Sequence, residues 1–430
     1  MRIRSKGVIK AVFYVLLSST VLVCIGKWDV WFGNITEPSY ASCNVPARIQ
    51  LTFGNDGRYS RNVSWQCGDL PVSSYLLFVK TGTTDTVVVA AVGKMLQTKG
   101  GRTVMYHAKM TNLSEGEYRY SVCTDNRQSD WYGFTVSADD DFRFVFIGDI
   151  QDTIGSVTSQ QFSAVNRIAK DAAFWILGGD IIERPHDAYW NEYFTTMDSI
   201  ALTKPIIACP GNHEYIKGLA STLDERFVHH FSYLNDSRTA GHAVFETRYG
   251  QVALITLDSN RDSWTLPSQS RWLEKALQNA SDARWKIVVL HHPVFSIRGN
   301  GRHFFIRRLF TPLFERYGVD LVLQGHEHCY ARKITGDASR NLTTPVFLIS
   351  QFSPKDYSFM TDHHFDRMGN GKRFYQIIDI TSDTLTLKAF TEHDELYDHI
   401  RIVRTGNDRQ VTDLATELPE HVDLQSPRMR

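Results

Sequence analysis

Five short polar clusters, each placed directly after an apolar run, constrain this chain more than any other feature of its sequence. Each cluster offers Asp, Asn or His side chains, and in four of the five a glycine comes before the polar residues. The clusters occupy residues 148–152 (Gly-Asp-Ile-Gln-Asp), 178–183 (Gly-Gly-Asp-Ile-Ile-Glu), 211–214 (Gly-Asn-His-Glu), 291–293 (His-His-Pro) and 325–328 (Gly-His-Glu-His).

The apolar runs predict buried strands, and the helical patterns between them predict an α/β domain. The expected strands are 143–147, 174–177, 205–209, 252–257, 286–290 and 319–323, with helices near 156–170, 187–200, 268–279 and 303–316. Ligands collect at the carboxyl ends of the strands in such sheets. We therefore expect the five clusters to meet in one pocket.

The residue types in these clusters suit a pair of divalent metal ions. Carboxylate, amide oxygen and imidazole are ligands for zinc, manganese or iron. Two such ions about 3.5–4 Å apart can clamp a phosphoryl group and generate a hydroxide nucleophile. A single Gly-Asp or His-x-His is more often an ordinary turn, so the prediction depends on all five clusters in order. Together they predict metal-assisted phosphoester hydrolysis.

The region before the α/β domain is expected to contain strands only. Residues 45–136 hold seven short runs, most of them rich in Val, Tyr, Phe and Thr, which predict a β-sandwich of immunoglobulin or fibronectin III type. The runs are 47–53, 61–67, 74–80, 87–92, 103–110, 116–123 and 131–136. Cys67 and Cys123 end the second and sixth of these runs, so either a disulfide between them or two buried free thiols is expected. A polar linker at 137–141 leads to the α/β domain at 142–405, and 406–430 is expected to be a frayed polar tail.

The N-terminus carries Arg2, Arg4, Lys6 and Lys10 before an apolar run at 11–25. This pattern predicts a signal peptide or a short signal-anchor within residues 1–26, because a full membrane span needs about 20 apolar residues. We therefore expect export: the protein would be secreted, periplasmic or anchored on the outside of a membrane. Charge is balanced across the 430 residues, with 47 basic and 47 acidic side chains, so no nucleic-acid binding is expected.

The order Gly-Asp, Gly-Asp, Gly-Asn-His-Glu, Val-x-x-His and Gly-His-x-His resembles the calcineurin-like metallophosphoesterases, and 288–291 (Val-Val-Leu-His) matches the fourth motif as it stands. Within that superfamily the chain looks most like the purple acid phosphatases, which also carry a fibronectin-like domain before the catalytic one. The resemblance implies an αββα sandwich of two mixed sheets and two divalent or mixed-valence ions (Fe, Zn or Mn). It also implies hydrolysis of phosphate monoesters by attack of a metal-bound hydroxide, without a covalent phosphoenzyme.

The resemblance assigns a role to each matching residue. Asp180 would bridge the ions, and His213 would stabilise charge on the phosphate or donate a proton to the leaving alkoxide. Glu214 would orient His213 or cap the turn. The other implied ligands are Asp149 and His328 for the first ion, and Asn212, His291 and His326 for the second.

The sequence departs from the purple enzymes at two positions. Those enzymes have a tyrosine ligand three residues after the second-motif aspartate, where this chain has Glu183. Without the tyrosinate we expect no purple colour, and Glu183 is a candidate ligand in its place. Gln151 stands where many relatives have histidine; its amide could be a weak ligand, a donor to a ligand, or part of a polar loop.

Further residues could contact the substrate or support the ligands. His292 follows the fourth-motif histidine, and the loop 298–303 resembles the family's substrate rim. Its Arg298, Arg302 and His303 could meet phosphate oxygens, although any one of them could simply be solvated. Two alternatives remain open: a phosphodiesterase or nucleotidase on the same centre, and a surface-binding module whose catalytic domain has decayed.

Overall fold

A computed structural model describes residues 2–54, 56–155, 157–218, 220–235, 243–260, 264–299, 301–335, 345–360, 364–406 and 408–422. It begins with a 31-residue helix, α1 (Arg2–Phe32), which contains the apolar run of the predicted export segment. Within those described ranges, no helix combines the length and apolarity needed to cross a membrane.

Nine strands form a β-sandwich of two sheets after α1. Trp65, Tyr106, Tyr120 and Val122 lie in the core between the sheets. One sheet has the order β1-β2-β6-β5, and the other has the order β4-β3-β7, with β8 and β9 both paired to β7. The strands are β1 (Ala47–Gly54), β2 (Gly57–Gln66), β3 (Ser74–Lys80), β4 (Val87–Ala90), β5 (Val92–Gln97), β6 (Arg102–Met110), β7 (Gly116–Thr124), β8 (Arg127–Gln128) and β9 (Tyr132–Val136).

The structure corrects one expectation in this region and decides between the two alternatives for Cys67 and Cys123. The predicted single run at 87–92 is two strands, because the chain crosses between the sheets at Ala91 and β4 and β5 join different sheets. The Cys67–Cys123 disulfide is not formed, and both thiols are buried and free. Side chains alternate along a strand. Val122 packs in the sandwich core with Cys67, so its neighbour Cys123 points to the other face of the sheet.

The α/β domain contains two mixed sheets with helices on their outer faces. Its strands are β10 (Phe142–Ile147), β11 (Phe174–Leu177), β12 (Ile206–Ala208), β13 (Tyr215–Ile216), β14 (Thr222–Leu223), β15 (Phe245–Tyr249), β16 (Val252–Thr256), β17 (Trp285–Val289), β18 (Leu321–Gln324), β19 (Tyr330–Ile334), β20 (Val346–Ile349), β21 (Arg367–Gly369), β22 (Phe374–Ile380), β23 (Thr384–Thr391), β24 (Leu396–Thr405) and β25 (Asp408–Asp413). Its α-helices are α2 (Val157–Ile168), α3 (Asp187–Thr203), α4 (Glu225–His230), α5 (Leu266–Asn279) and α6 (Phe304–Arg316), and 3-10 turns occupy Asn212–Glu214 and Ser232–Asn235.

Burial on alternate sides of each strand produces four layers. Ile287 and Val289 of β17 face the first sheet, and they share one core with α2 and α3. Val288, between them, packs on the opposite side with α5 and α6. The second sheet has the order β15-β16-β17-β18-β20-β19-β21. Strands β10, β11 and β12 are parallel neighbours in the first sheet, as are β17 and β18 in the second.

The predicted tail is partly structured. Strand β25 pairs with β24 along its whole length, from Thr405↔Asp408 to Ile400↔Asp413. Beyond it, the buried guanidinium of Arg367 donates to the carbonyls of Ala415, Leu418 and Pro419. The expectation of a frayed segment from residue 406 is therefore wrong for 408–422. A polar sequence can still form a strand at the edge of a sheet, because many of its side chains face solvent there.

The sandwich and the α/β domain are joined both through the backbone and through one carboxylate. Strand β1 pairs with β12 at Thr52↔Ile206, so the two domains share one 11-stranded sheet. Nearby, the buried Glu37 carboxylate accepts hydrogen bonds from the Arg226 guanidinium at 2.5 Å, Asp187 N at 2.7 Å and Gly100 N at 3.2 Å. Burial raises the pKa of Glu37, but the hydrogen bond and the positive charge of Arg226 outweigh burial, so the pKa is lowered overall.

Replacing Glu37 with glutamine should reduce the free energy of unfolding by roughly 2 kcal/mol, because three donors lose a charged acceptor in a buried site. Urea denaturation of the full chain measures this change. Glu395→Gln is the matched control, since Glu395 makes a surface pair with Lys372 and should contribute under about 0.5 kcal/mol. Equal stability of the two variants would contradict a stabilising role for the hydrogen bonds that Glu37 accepts from Arg226, Asp187 and Gly100.

Candidate metal centre

All five polar clusters meet at one end of the two facing sheets. Asp149, Asp180 and Asn212 follow β10, β11 and β12, while His291 and His326 follow β17 and β18. Because each group of strands is parallel and adjacent, their carboxyl ends deliver these side chains to one place. The sequence-based expectation that the clusters share a pocket agrees with this placement.

Four side-chain donor atoms converge in this pocket. Asn212 Oδ1 lies 2.9 Å from His326 Nδ1 and 3.3 Å from His291 Nε2. His291 Nε2 lies 3.3 Å from His326 Nδ1 and 3.3 Å from Asp180 Oδ2. Ligand atoms about 2.0–2.2 Å from a metal ion are separated by roughly 3.0–3.5 Å in tetrahedral or octahedral coordination. The four donors therefore have the spacing of one coordination shell.

The surroundings of His291 leave its Nε2 as the ligand atom. Its other ring nitrogen, Nδ1, lies 2.9 Å from the carbonyl oxygen of Gly178 and donates a hydrogen bond to it. Such a bond fixes the tautomer and ring orientation of a metal-binding histidine. Burial alone would lower the pKa of His291, but the charge and hydrogen bond of Asp180 and the charge of Asp149 raise it to about 10. In the metal-free site a proton therefore takes the place of a cation.

The donors predicted for the other ion are arranged more loosely. Asp149 Oδ2 accepts a hydrogen bond from His326 N at 2.6 Å, whereas its Oδ1 is buried and has no hydrogen-bond partner within the described part of the chain. Burial, together with the Asp180 charge, raises the pKa of Asp149. His328 Nδ1 lies 3.0 Å from Ser353 Oγ. An orphaned carboxylate oxygen in a buried site fits a cation better than it fits an apolar interior.

Two glycines allow the loops to approach this closely. A Cβ at Gly211 would lie 2.1 Å from Asp180 Oδ1, and one at Gly325 would lie 2.3 Å from Asp149 Oδ2. A side chain at either position would push a carboxylate out of the centre. The glycines before the polar residues are thus required by the site, beyond the turn that the sequence pattern indicated.

Glu214 fastens two of the loops to each other. Its buried carboxylate accepts hydrogen bonds from the backbone N–H groups of Gly211 (2.6 Å), Asp180 (2.9 Å), Ile181 (2.8 Å) and Ile182 (3.2 Å). The carboxylate therefore caps its own turn and also positions the Asp180 loop. Of the two roles expected for Glu214, the structure shows the cap.

His213 lies at the border between the donor cluster and a large cleft. Its Nδ1 is 2.6 Å from the carbonyl oxygen of Glu183, and its Nε2 is 3.9 Å from Asp180 Oδ2. Its backbone N–H donates to Asp180 Oδ1 at 2.8 Å. The side chain is 25% exposed, so this ring, unlike that of the fully buried His291, is accessible to a substrate.

Glu183 and Gln151, the two departures from the purple enzymes, have other partners in this structure. The Glu183 carboxylate accepts a hydrogen bond from Lys355 Nζ at 2.8 Å. Gln151 Nε2 lies 3.3 Å from Asp180 Oδ2 and donates to it, while Gln151 Oε1 is buried without a partner in the described residues. Ligation by either residue stays a prediction, and the geometry of Gln151 favours the alternative that it supports Asp180.

Sequence reasoning missed Lys355. Burial, and after it the charge of this lysine, lower the pKa of His328 to about 3. The same charge opposes the burial that raises the pKa of Asp149, so a fixed cation stands beside the donors expected to hold the first ion. Residues 353–355 (Ser-Pro-Lys) follow β20, which is one more apolar strand of the second sheet. Their position after a strand was a usable signal, but they contain no metal-ligand residue type.

The proposed substrate-rim residues surround the histidines from one side. The His292 ring lies 4.2 Å from the His326 ring and 5.0 Å from that of His303, measured between centroids. Arg298 stacks over the Tyr357 ring at 4.5 Å. The buried Glu327 carboxylate holds this loop by accepting a hydrogen bond from Ile297 N at 2.6 Å. Arg302 lies at the rim, where its charge, after burial, helps to lower the pKa of His303 to about 4.

Comparison with known proteins agrees with this geometry. The family model for calcineurin-like phosphoesterases matches residues 142–330, and the model for the purple acid phosphatase N-terminal domain matches residues 46–136. Residues 142–330 are therefore a calcineurin-like phosphoesterase domain. Together with its N-terminal domain, the chain is similar to the purple acid phosphatases.

Individual relatives are distant. An uncharacterized protein of Mycobacterium tuberculosis (strain ATCC 25618 / H37Rv) is 26% identical over 69% of this chain, and the chain spans 64% of that relative's length. Purple acid phosphatase 5 of Arabidopsis thaliana is 24% identical over 72% of this chain and 78% of its own length. A purple acid phosphatase from yellow lupin has the same fold, with a TM-score of 0.66, 16% identity and coverage of 84% of this chain and 75% of its own.

Metal binding to the donor cluster should release a proton from His291. Because the metal-free pKa is about 10, the ring is protonated at neutral pH, and an ion at Nε2 must displace that proton. Affinity for the ion should therefore rise with pH, by up to about tenfold per unit below pH 10. Titration calorimetry in buffers of different ionisation enthalpy counts the released protons. A count of zero at pH 7 would contradict the assignment, and His393→Gln, which removes an exposed histidine, should leave the count unchanged.

Replacing Lys355 with glutamine should tighten binding of the more weakly held ion by roughly three- to tenfold, because a positive charge beside Asp149 and His328 is removed. Metal content after dialysis against graded concentrations of zinc or manganese measures the effect. Lys372→Gln is the matched control, since its ammonium also pairs with a glutamate at 3.3 Å, away from the site. Weaker binding in the Lys355 variant would show that the ammonium supports the ion.

Proposed function

We propose that this chain is a metal-dependent phosphoester hydrolase that acts on phosphate monoesters. The observation that carries the proposal is the convergence of Asp180 Oδ2, Asn212 Oδ1, His291 Nε2 and His326 Nδ1, joined by four distances of 2.9–3.3 Å. Carboxylate, amide and imidazole donors at this spacing suit zinc, manganese or iron. The calcineurin-like phosphoesterase domain and the similarity to purple acid phosphatases support the same chemistry.

The donor set is divided between two ions. Asp180, Asn212, His291 and His326 would hold one ion. Asp149 and His328 would hold the other, and Asp180 would be shared between them. The buried, unpartnered Oδ1 of Asp149 supports the second position. Bound ions supply Lewis acidity toward the phosphate oxygens and lower the pKa of water to produce the nucleophile.

The remaining steps belong to the side chains of this chain. His213 has one ring nitrogen bound to the Glu183 carbonyl, which fixes the ring plane and leaves Nε2 for the substrate. We assign to Nε2 the proton transfer to the leaving alkoxide, because it borders both the donor cluster and the open cleft. The proton comes from the imidazolium form of His213, and after the transfer the neutral ring keeps the Nδ1–H that donates to the Glu183 carbonyl. The buried loops around Asp180 and Asn212 limit water at the reacting phosphate to the cleft side.

Arg298, Arg302 and His303 are proposed contacts for the non-bridging phosphate oxygens. Their loop is held to the centre through Glu327, which follows directly after His326. Arg298 is already oriented by its stacking on Tyr357, whose ring lies 4.7 Å from that of His328. Guanidinium groups bind phosphate oxygens through paired N–H donors. This placement supports binding of a substrate phosphate between the rim loop and the donor cluster.

Two further expectations stay proposals. The sandwich sheets, β1-β2-β6-β5 against β4-β3-β7-β9, support a fibronectin III-like topology.

The basic and apolar N-terminal segment supports export. Mass spectrometry of the protein purified from its host, with its cellular fraction recorded, tests export; an intact N-terminus on protein found only in the cytosol would contradict it.

Asp180→Asn should reduce hydrolysis of p-nitrophenyl phosphate at least about 1,000-fold, because the amide loses the charge that would be shared by two ions. The sandwich should stay folded because Asp180 lies outside it, and the α/β loop should keep its shape because Asn keeps an oxygen that accepts from His213 N. Circular dichroism checks folding, and the exposed Asp171→Asn is the control. Wild-type turnover by the Asp180 variant would contradict the assignment. Faster cleavage of bis(p-nitrophenyl) phosphate than of the monoester by the wild type would make the chain a diesterase.

A further inference from the structure

A cleft of about 880 Å³ opens beside the donor cluster, and Asn212 and His213 form part of its wall. Its other walls come from three distant parts of the chain: the segment after α1 (33–35 and 37), the end of β5 with the following turn (95–99), and the α/β loops at 183–186, 215–217 and 222–226. A cleft of this volume matches those that enclose drug-sized ligands. Phenyl phosphate would fill only a small part of it.

The wall that the segment after α1 contributes is held firmly in place. The Asn34 side chain pairs with the backbone of Lys217 through both of its polar atoms, at 2.7 and 2.9 Å. His186 Nε2 lies 3.1 Å from the carbonyl oxygen of Ile35. Glu37 then ties the segment to Arg226 and to Gly100 of the sandwich. These contacts fix the sandwich and the α/β domain as two sides of one cleft.

The side chains of the cleft combine apolar surface with positive charge. Ile35 and Met95 are exposed and come from different domains, and Ile216 and Leu223 also line the cleft. The acidic side chains of the wall have partners: Glu37 and Asp224 bind Arg226, Glu183 binds Lys355, and Glu225 binds Lys94. Lys99 and Arg184 also line the cleft, and neither makes an ion pair within the described parts of the chain.

We propose that this interdomain cleft is the leaving-group pocket of the enzyme. It takes phosphate esters whose leaving group is large, partly apolar and carries a second anionic group. This inference rests on the proposed function, because the pocket is identified by its border with Asn212 and His213. Apolar atoms of the leaving group contact Ile35 and Met95, while its second anion faces Lys99 and Arg184. The sandwich domain thereby contributes directly to substrate choice.

Three esters separate the parts of this proposal: phenyl phosphate (small), adenosine 3′-monophosphate (large and neutral beyond the ester) and adenosine 3′,5′-bisphosphate (large, with a second phosphate). The expected order of kcat/KM for ester hydrolysis is bisphosphate, then monophosphate, then phenyl phosphate. Met95→Trp and Ile35→Trp each add an indole to the lining of the cleft, from the sandwich and from the segment after α1 respectively. Each should lower the ratio of kcat/KM for the bisphosphate to that for phenyl phosphate at least tenfold.

Val88→Trp is the control for the added indole, because Val88 is exposed on β4, in the sheet that does not line the cleft; its ratio should match the wild type. The double variant Lys99→Gln/Arg184→Gln should lower the ratio of bisphosphate to adenosine monophosphate about fivefold. Unchanged ratios in both tryptophan variants would overturn the pocket, and an unchanged ratio in the double variant would overturn the second anion. If the metal-loaded wild type cleaves none of the three esters, the proposed function itself is overturned.

Discussion

The close approach of four oxygen and nitrogen atoms that can bind a metal ion is the constraint on which the rest of this structure depends. Asp180 Oδ2, Asn212 Oδ1, His291 Nε2 and His326 Nδ1 are linked by four distances of 2.9–3.3 Å, yet these atoms offer few hydrogens to share. The negative charges of Asp180 and Asp149 raise the pKa of His291 against the effect of burial, so a proton relieves part of this conflict. A metal ion resolves the same conflict with more charge and more directed bonds. The fold brings the four ligand atoms together, and the proposed hydrolytic chemistry follows from the metal ion that they would bind.

The backbone around the centre accepts strain to achieve this crowding. Asp149, Asp180, His326 and His328 all have positive φ, between 43° and 74°, a region that favours glycine and costs of order 1 kcal/mol or more per residue. The sheets deliver each strand end to the same edge, but only a sharp left-handed turn aims the next side chain inward. Buried carboxylates offset part of the strain: Glu214 binds four backbone N–H groups, and Glu327 holds the rim loop.

The sequence predicts those parts of the molecule that depend on local pattern. Apolar runs predicted several strands to within a residue, such as Phe174–Leu177 and Trp285–Val289, and a polar cluster after each of five runs predicted the members of the centre. Features set by distant partners were not predictable in this way. The β4–β5 crossover, strand β25 and the inaccessible position of Cys123 depend on pairing choices made elsewhere in the sandwich and at the sheet edge. Lys355 was missed because its role is only its charge, placed beside Asp149 by a sixth strand.

The joining of the two domains connects the centre to substrate choice. The sandwich is held against the α/β domain by strand pairing at Thr52↔Ile206 and by the hydrogen bonds of Glu37. A cleft beside His213 therefore has walls from both domains. The central claim, that the crowded donors hold metal, is tested most directly by anomalous diffraction from crystals grown with zinc or manganese. We predict a peak surrounded by Asp180, Asn212, His291 and His326 at about 2.0–2.3 Å, with a second beside Asp149 and His328. Crystals grown in millimolar metal that show no anomalous peak there, with the Asp180–His291 pair intact, would contradict the account.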